Sequence, residues 1–208
     1  MNDVTVFDLE TIPDESKIHL LPEPKARGNL TDPRKIAEDI KKKKEEQAGK
    51  MGLDPNFGRI CCVSFRDKDK VSSILSENES ELLLETWNVL ANYKQFATFN
   101  GHTFDVPFLI KRSWLLGIVP TVKIDNRKYR IGNHLDLRAI LNNWNEYESG
   151  TLDFYGRLKL GKGKTEGVDG SMVYPMWQEK KFDEIKEYAE DDAELTWQLF
   201  VSMKDYYF

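Results

Sequence analysis

The chain has 208 residues, 40% of them apolar and 31% charged, with a net charge of −5. That length and apolar share suit one domain with a buried core, and no apolar run is long enough to cross a bilayer. The acidic balance excludes coating of nucleic acid by charge alone. It leaves room for an enzyme that grips a few nucleotides and holds metal ions with its acids.

The first expected element is a strand over NDVTVFDLE, which Pro13 stops after Thr11 and Ile12 leave the sheet. The opening MNDVTVFDLE lacks a basic stretch followed by an apolar segment, so no signal peptide is read there and a cytoplasmic location is expected. Residues 13–31, rich in Pro and Gly, read as irregular. A helix follows over TDPRKIAEDIKKKKEEQAGK, with Thr31 or Asp32 as its cap, Pro33 in its first turn and Gly49 at its end. Its KKKKEE run reads as a solvated face. The sharper alternative is a basic helix that orders beside a nucleic-acid strand.

RICCVSFRDKDKVSSILSE reads as two strands joined by a tight polar turn at residues 67–69. The adjacent Cys61 and Cys62 are expected as small apolar fillers in a reducing compartment. ESELLLETWNVLANY carries Leu82, Leu83, Thr86, Trp87 and Leu90 at helical spacing. QFATFNG is a short buried strand, VPFLIKRSWLLG a helix ending at Gly117, and LDLRAILNNW another helix. The glycine-rich loop LGKGKTEG has neither the glycine spacing nor the preceding strand of a phosphate-binding motif. FDEIKEYAEDDAELTWQLFVSMKDYY is a long closing helix. This order predicts an α/β domain with a mixed sheet and helices on both faces. One domain is expected over 1–208, with a flexible or helical insertion at about 14–57.

Three acidic clusters stand out. Asp8 and Glu10 are two apart on a strand, so they share a face, and two carboxylates there repel unless a cation sits between them. A divalent ion is the simplest candidate; local pairing with Lys or Arg is the bland one. In FNGHTFDVPFL, Asp105 opens a helix with Pro107 in its first turn, and an ordinary N-cap is the default role. His102 is expected in a loop facing solvent or a neighbouring loop. In EYAEDDAEL, Tyr188 and Asp192 are four apart and share a helix face, while the surrounding acids are expected in solvent. Asp136 in HLDLRAIL reads as a helix cap before a metal ligand.

The order of these clusters, a strand DxE, then NGxxFDxP, then YxxxD on the last helix, resembles the tyrosine-bearing branch of the DEDD superfamily of 3′–5′ exonucleases. FDLETIP, DPNFGRI, FNGHTFDVPFL, LDLRAIL and YAEDDAELTWQLF are most similar to stand-alone exonucleases related to the proofreading domain of family B DNA polymerases. The likeness runs from about residue 4 to about residue 200. It implies an RNase H-like fold, with a mixed five-stranded sheet flanked by helices, and two divalent cations, Mg²⁺ or Mn²⁺. By the resemblance Asp8, Glu10, Asp105 and Asp192 hold the metals and Tyr188 positions the attacking water. A sister branch uses histidine there, and the last helix contains none.

The implied reaction is metal-dependent hydrolysis from the 3′ end of single-stranded DNA, releasing nucleoside 5′-monophosphates. Thr11 and Ile12 are then expected against the terminal nucleotide, Asn100 beside the strand and Phe104 on a base. Lys111, Arg112, Lys162 and Lys164 are expected at phosphates. No polymerase segment is read in these residues, so any polymerase or repair partner is expected in trans. Three rivals remain: an exoribonuclease with the same chemistry, a silent single-strand-binding module, and a metal-stabilised scaffold. The silent module predicts a broken acid set, whereas all four acids and Tyr188 are present.

Overall fold

The computed structural model describes residues 2–145, 147–164 and 169–208. Two compact units form: residues 11–59, and residues 1–10 together with 60–208. The larger unit is built on a five-stranded sheet in the order β3-β2-β1-β4-β5. The strands are β1 (Asn2–Pro13), β2 (Gly58–Arg66), β3 (Val71–Leu75), β4 (Tyr93–Thr98) and β5 (His134–Asp136). β1 and β4 run parallel with Val6 opposite Ala97, β4 and β5 run parallel with Thr98 opposite Asp136, and β2 and β3 are antiparallel. The expected mixed sheet is therefore present. The turn between β2 and β3 is made by Asp67, whose carboxylate accepts the N–H groups of Asp69 (2.8 Å) and Lys70 (2.9 Å).

Alternation along β1 divides the interior in two. Phe7 and Leu9 pack with Leu82, Leu83 and Trp87 of α2 (Glu79–Leu90) and Leu109 of α3 (Asp105–Leu115). Val6 packs instead with Ala97, Leu135 and residues Ala193 and Leu199 of α7 (Phe182–Tyr207). Phe7 is fully buried and edge-on to Phe96, with ring centres 6.4 Å apart. Burial of such a side chain stabilises by about 1.5–3 kcal/mol. On α2, Leu82, Leu83, Thr86, Trp87 and Leu90 are all buried, as their spacing predicts, and Asn78 caps the helix by accepting from Ser80 N at 3.1 Å. The Trp87 ring N–H donates to Ser113 Oγ of α3 at 2.9 Å, which ties the two helices together.

Several expectations are corrected. β1 continues through Thr11 and Ile12 to Pro13 rather than ending before them. The first residues of HLDLRAIL are strand: His134–Asp136 pair along β4, and the helix α4 (Leu137–Leu141) starts only beyond the Asp136 cap. Of the two settings expected for His102, the structure gives the second: it is buried against a neighbouring loop, with its ring 5.1 Å from Trp144. Cys61 and Cys62 are buried, as expected of small fillers, and Cys61 Sγ donates to Glu10 O at 3.4 Å. Of the loop LGKGKTEG, residues 165–167 lie outside the described residues. No helix among the described residues is long and apolar enough to cross a membrane.

In the smaller unit, Asp32 caps α1 (Pro33–Lys50) by accepting from Arg34 N at 2.9 Å. Gly49 is the penultimate residue of that helix, at its end as expected. α1 buries none of its residues, so polar contacts hold it: Lys43 Nζ donates to Lys25 O at 2.7 Å, and Asp39 pairs with Arg27 and Lys43 at 3.1 and 2.9 Å. Exposed pairs of this kind contribute about 0–1 kcal/mol each, so this helix is weakly secured. Thr11 Oγ1 donates to Gly52 O at 2.6 Å and Asp14 N to Phe57 O at 2.8 Å, closing the unit at its base.

Candidate active site

The even-numbered side chains of β1 face α7. Asp8 and Glu10 therefore follow Val6 on that face, and α7 meets them with Asp192. One oxygen from each of Asp8, Glu10 and Asp192 lies within 4.8 Å of the other two. Glu10 and Asp192 are buried and Asp8 is half-buried. Tyr188 sits one turn before Asp192 on the same buried stripe of α7. The neighbouring Glu187 and Asp191 are exposed, as expected for acids off that stripe.

Asp105 joins from a second direction. It opens α3, yet it caps no N–H later in that helix. Its Oδ1 accepts the backbone N–H of Leu9 at 3.0 Å, which holds the buried carboxylate against β1 between the two strand acids. The preceding turn is tight because Gly101 lies against Thr98; a Cβ there would fall 2.3 Å from Thr98 Oγ1. The parallel strands β1, β4 and β5 thus all end near acids, at the sheet end where α/β proteins gather their ligands.

Water-poor crowding shapes the charges. Burial, then Asp105 and Glu10, push the Asp8 carboxyl well above the usual range. Burial and then Asp192 push Glu10 up to about 8. Burial pushes Asp105 up to about 7, against the pull of the Leu9 N–H. Burial also raises Asp192, opposed by Lys164. The Tyr188 phenol is raised by burial and then by Asp192, so it keeps its proton.

One cation stands among these acids. The Lys164 ammonium bonds Asp192 Oδ2, lies 3.3 Å from the Tyr188 hydroxyl and 5.3 Å from the centre of its ring. Burial opposes its charge, and Asp192, Asp8 and Glu10 outweigh that, so its pKa is raised. The lysine is held there through its backbone: Lys164 N donates to Asp153 Oδ1 at 2.8 Å. Gly163 allows that approach, since a Cβ would fall 2.1 Å from the same Asp153 oxygen. Sequence reasoning placed Lys164 at phosphates and missed its seat among the acids. The signal was the pair Gly161 and Gly163 around a lysine run, without the Asp153 anchor that gives it direction.

The donor set fits a hard divalent cation. All the candidate donor atoms are carboxylate oxygens, mutually repelling groups crowd one spot, and the ammonium that stands among them shows that the spot favours positive charge.

The other expected contacts are distributed unevenly. Asn100 adopts φ 69°, donates its N–H to Asp136 at 3.0 Å, and accepts from Arg138 Nη1 at 2.8 Å. Asp136 also accepts from His102 N and Ala139 N, so its role is that of a cap and turn anchor. Phe104 is half-buried against the core with its ring 5.5 Å from Phe108. Lys111 is half-buried on α3. Arg112 is 2% exposed and bound to Glu79 by two hydrogen bonds, Nε at 2.9 Å and Nη2 at 2.5 Å. It is an interior ion pair with no surface to offer a phosphate. In the smaller unit, the Thr11 hydroxyl is bound to Gly52 O and Ile12 is enclosed at 2% exposure.

A family described as "Predicted 3′-5′ exonuclease related to the exonuclease domain of PolB" matches residues 56–207, which include Asp105, Tyr188 and Asp192. DNA polymerase 1 of Aeropyrum pernix is 29% identical over 136 residues, covering 59% of this chain and 14% of that protein. DNA polymerase 1 of Saccharolobus solfataricus is 31% identical over 148 residues, covering 63% of this chain and 16% of that protein. The chain thus spans only a small part of these curated relatives. The solved structure of the family B DNA polymerase from Pyrobaculum calidifontis superposes with a TM-score of 0.64 at 16% identity, covering 97% of this chain and 24% of that one. That likeness shows the fold, the RNase H-like sheet with its flanking helices. On the family match, which takes in most of the chain, the protein belongs to the predicted 3′–5′ exonucleases, hydrolases related to the exonuclease domain of PolB.

Proposed function

We propose that the chain hydrolyses single-stranded DNA from its 3′ end and releases nucleoside 5′-monophosphates, as a member of the tyrosine-bearing DEDD branch. The observation that carries this reading is the cluster of Asp8, Glu10 and Asp192 oxygens within 4.8 Å of one another, with Asp105 fixed beside them by Leu9 N. These four carboxylates would hold two divalent cations, Mg²⁺ or Mn²⁺. When bound, such ions activate a water near neutral pH and relieve charge on the phosphate and the leaving oxygen.

The chain's own groups do the rest. Tyr188 keeps its proton and sits beside Asp192, so it orients the attacking water by hydrogen bonding rather than by taking a proton. The Lys164 ammonium, anchored through Asp153, turns from Asp192 to the incoming phosphate. Asn100 holds the strand, and Phe104 and Lys111 lie along its path, whereas the bound Thr11 hydroxyl and the enclosed Ile12 are not available to it. All 208 residues serve one exonuclease domain in which residues 14–57 are an insertion. The two buried cysteine thiols suit a reducing cytoplasm, where a polymerase or a repair complex supplies the 3′ ends.

The test is a 5′-labelled single-stranded DNA oligonucleotide incubated with the wild type and with Asp8→Ala, in Mg²⁺, in Mn²⁺ and in chelator. A ladder shortening from the 3′ end, absent in the variant and in chelator, is expected. Shortening of RNA alone would transfer the reading to an exoribonuclease. Intact DNA and RNA with a folded, metal-loaded protein would overturn it.

A further inference from the structure

We propose that a second cleft, beside the acidic cluster, receives a nucleobase of the bound strand on the 5′ side of the bond to be hydrolysed. This rests on the exonuclease reading and adds to it a base-binding subsite. The cleft is a shallow, open groove lined among others by Asn100, His102, Lys128, Tyr129, Arg138 and Trp144.

Three observations converge on it. The first is aromatic. Trp144 stands 5.7 Å from Tyr129 and 5.1 Å from His102, centre to centre, and Tyr129 is 73% exposed. A half-buried indole beside an open phenol ring is a stacking platform that accepts any base. The second is charge. Arg138 bonds neutral oxygens, Asn100 Oδ1 at 2.8 Å and Gly150 O at 3.1 Å, and so keeps its full positive charge at the cleft wall. Lys128 lines the same cleft. The Asp136 carboxylate also lines it, but accepts the N–H groups of Asn100, His102 and Ala139.

The third is backbone conformation. Asn100, Tyr129, Asn143 and Trp144 all adopt positive φ, at 69°, 62°, 47° and 63°. Among the described non-glycine residues only Lys180 does so elsewhere. Each such residue costs on the order of 1–3 kcal/mol, and such residues collect at ligand sites. Here they turn Tyr129 and Trp144 toward one another. Asn100 on the cleft and Asp105 on the acidic cluster are joined by residues 100–105, at most roughly 18 Å of chain. The cleft therefore lies within a few nucleotides' reach of a strand whose scissile phosphate sits at the acids.

The test is fluorescence anisotropy of a 5′-labelled oligothymidylate in chelator, where no cleavage occurs. Trp144→Ala is expected to weaken binding about fivefold or more, in line with about 1–3 kcal/mol per stacked base, while Trp144→Phe restores most of it. The wild type should lose affinity for a strand with one abasic nucleotide near, but not at, its 3′ end, and Trp144→Ala should not distinguish that strand. Normal binding by Trp144→Ala, or an equal loss on intact and abasic strands, overturns the proposal. Should Trp144→Ala fail to fold, Tyr129→Ala, at an open position, is read by the same criteria. Strand shortening in Mg²⁺ is measured separately. Cleft-dependent binding without shortening would remove the exonuclease reading and leave the base subsite standing.

Discussion

The Lys164 ammonium bonds the Asp192 carboxylate and reaches within 3.3 Å of the Tyr188 hydroxyl, so one side chain from a loop neutralises the far wall of the acidic cluster. On the proposed reading, a dication from solvent competes with this ammonium for the same oxygens. Removing the ammonium relieves repulsion of an incoming dication that is worth on the order of a few kcal/mol at close range. Lys164→Met is therefore expected to bind Mn²⁺ about tenfold more tightly or better by calorimetry, and to hydrolyse DNA more slowly. Unchanged Mn²⁺ affinity would mean that the lysine leaves the acids freely.

Tyr188→Phe keeps the buried ring and deletes only the hydroxyl. Turnover on single-stranded DNA should fall on the order of 10²-fold, the scale of a misplaced reactant, with Mn²⁺ affinity and melting temperature near wild type. A variant with wild-type turnover would remove Tyr188 from the reaction.

The metal-free protein should lose stability as pH rises. Glu10 and Asp105 have folded-state pKa values pushed up to about 8 and about 7. In the unfolded chain both lie near 4. Between those limits the folded state binds more protons, so the stability of the folded state falls from about pH 4 to about pH 8. Metal ions replace the protons, so added Mg²⁺ should raise the melting temperature more at pH 8 than at pH 5. Thermal melts at the two pH values, with and without chelator, give the comparison. A metal-induced rise of equal size at both would contradict this origin.

Arg112→Ala should cost about 3–5 kcal/mol in urea unfolding, because it strands the buried Glu79 carboxylate. Glu79 also accepts Ile60 N at 2.8 Å, so the pair fastens α2 and α3 to β2. Replacing both partners, Glu79→Met with Arg112→Met, should cost less than either truncation alone. A loss below about 1 kcal/mol for Arg112→Ala would show that the pair is dispensable.

What was legible in the sequence was what local periodicity encodes. Asp8 and Glu10 stood out because they break an apolar strand two residues apart, and Tyr188 and Asp192 because four residues close one helical turn. The buried face of α2 was readable residue by residue. Partners distant in sequence were not. Glu79 and Arg112 each look like a surface charge on a helix, and only their meeting across 33 positions makes them interior. Lys164 carries no sign of Asp153, the residue that aims it. β5 escaped because three residues are too few for alternation to register, and its existence depends on the edge that β4 offers.

β1 carries two messages in one stretch of chain. Its odd positions, Phe7 and Leu9, are written for packing, and its even positions, Asp8 and Glu10, for chemistry. Substituting an even position leaves the odd ones in place, so descendants can fall silent while still folding. Inserting or deleting a single residue before Asp8 exchanges the two registers, sending acids into the apolar layer and a phenylalanine toward the acidic cluster. Evolution can therefore edit this strand letter by letter, but not by changing its length.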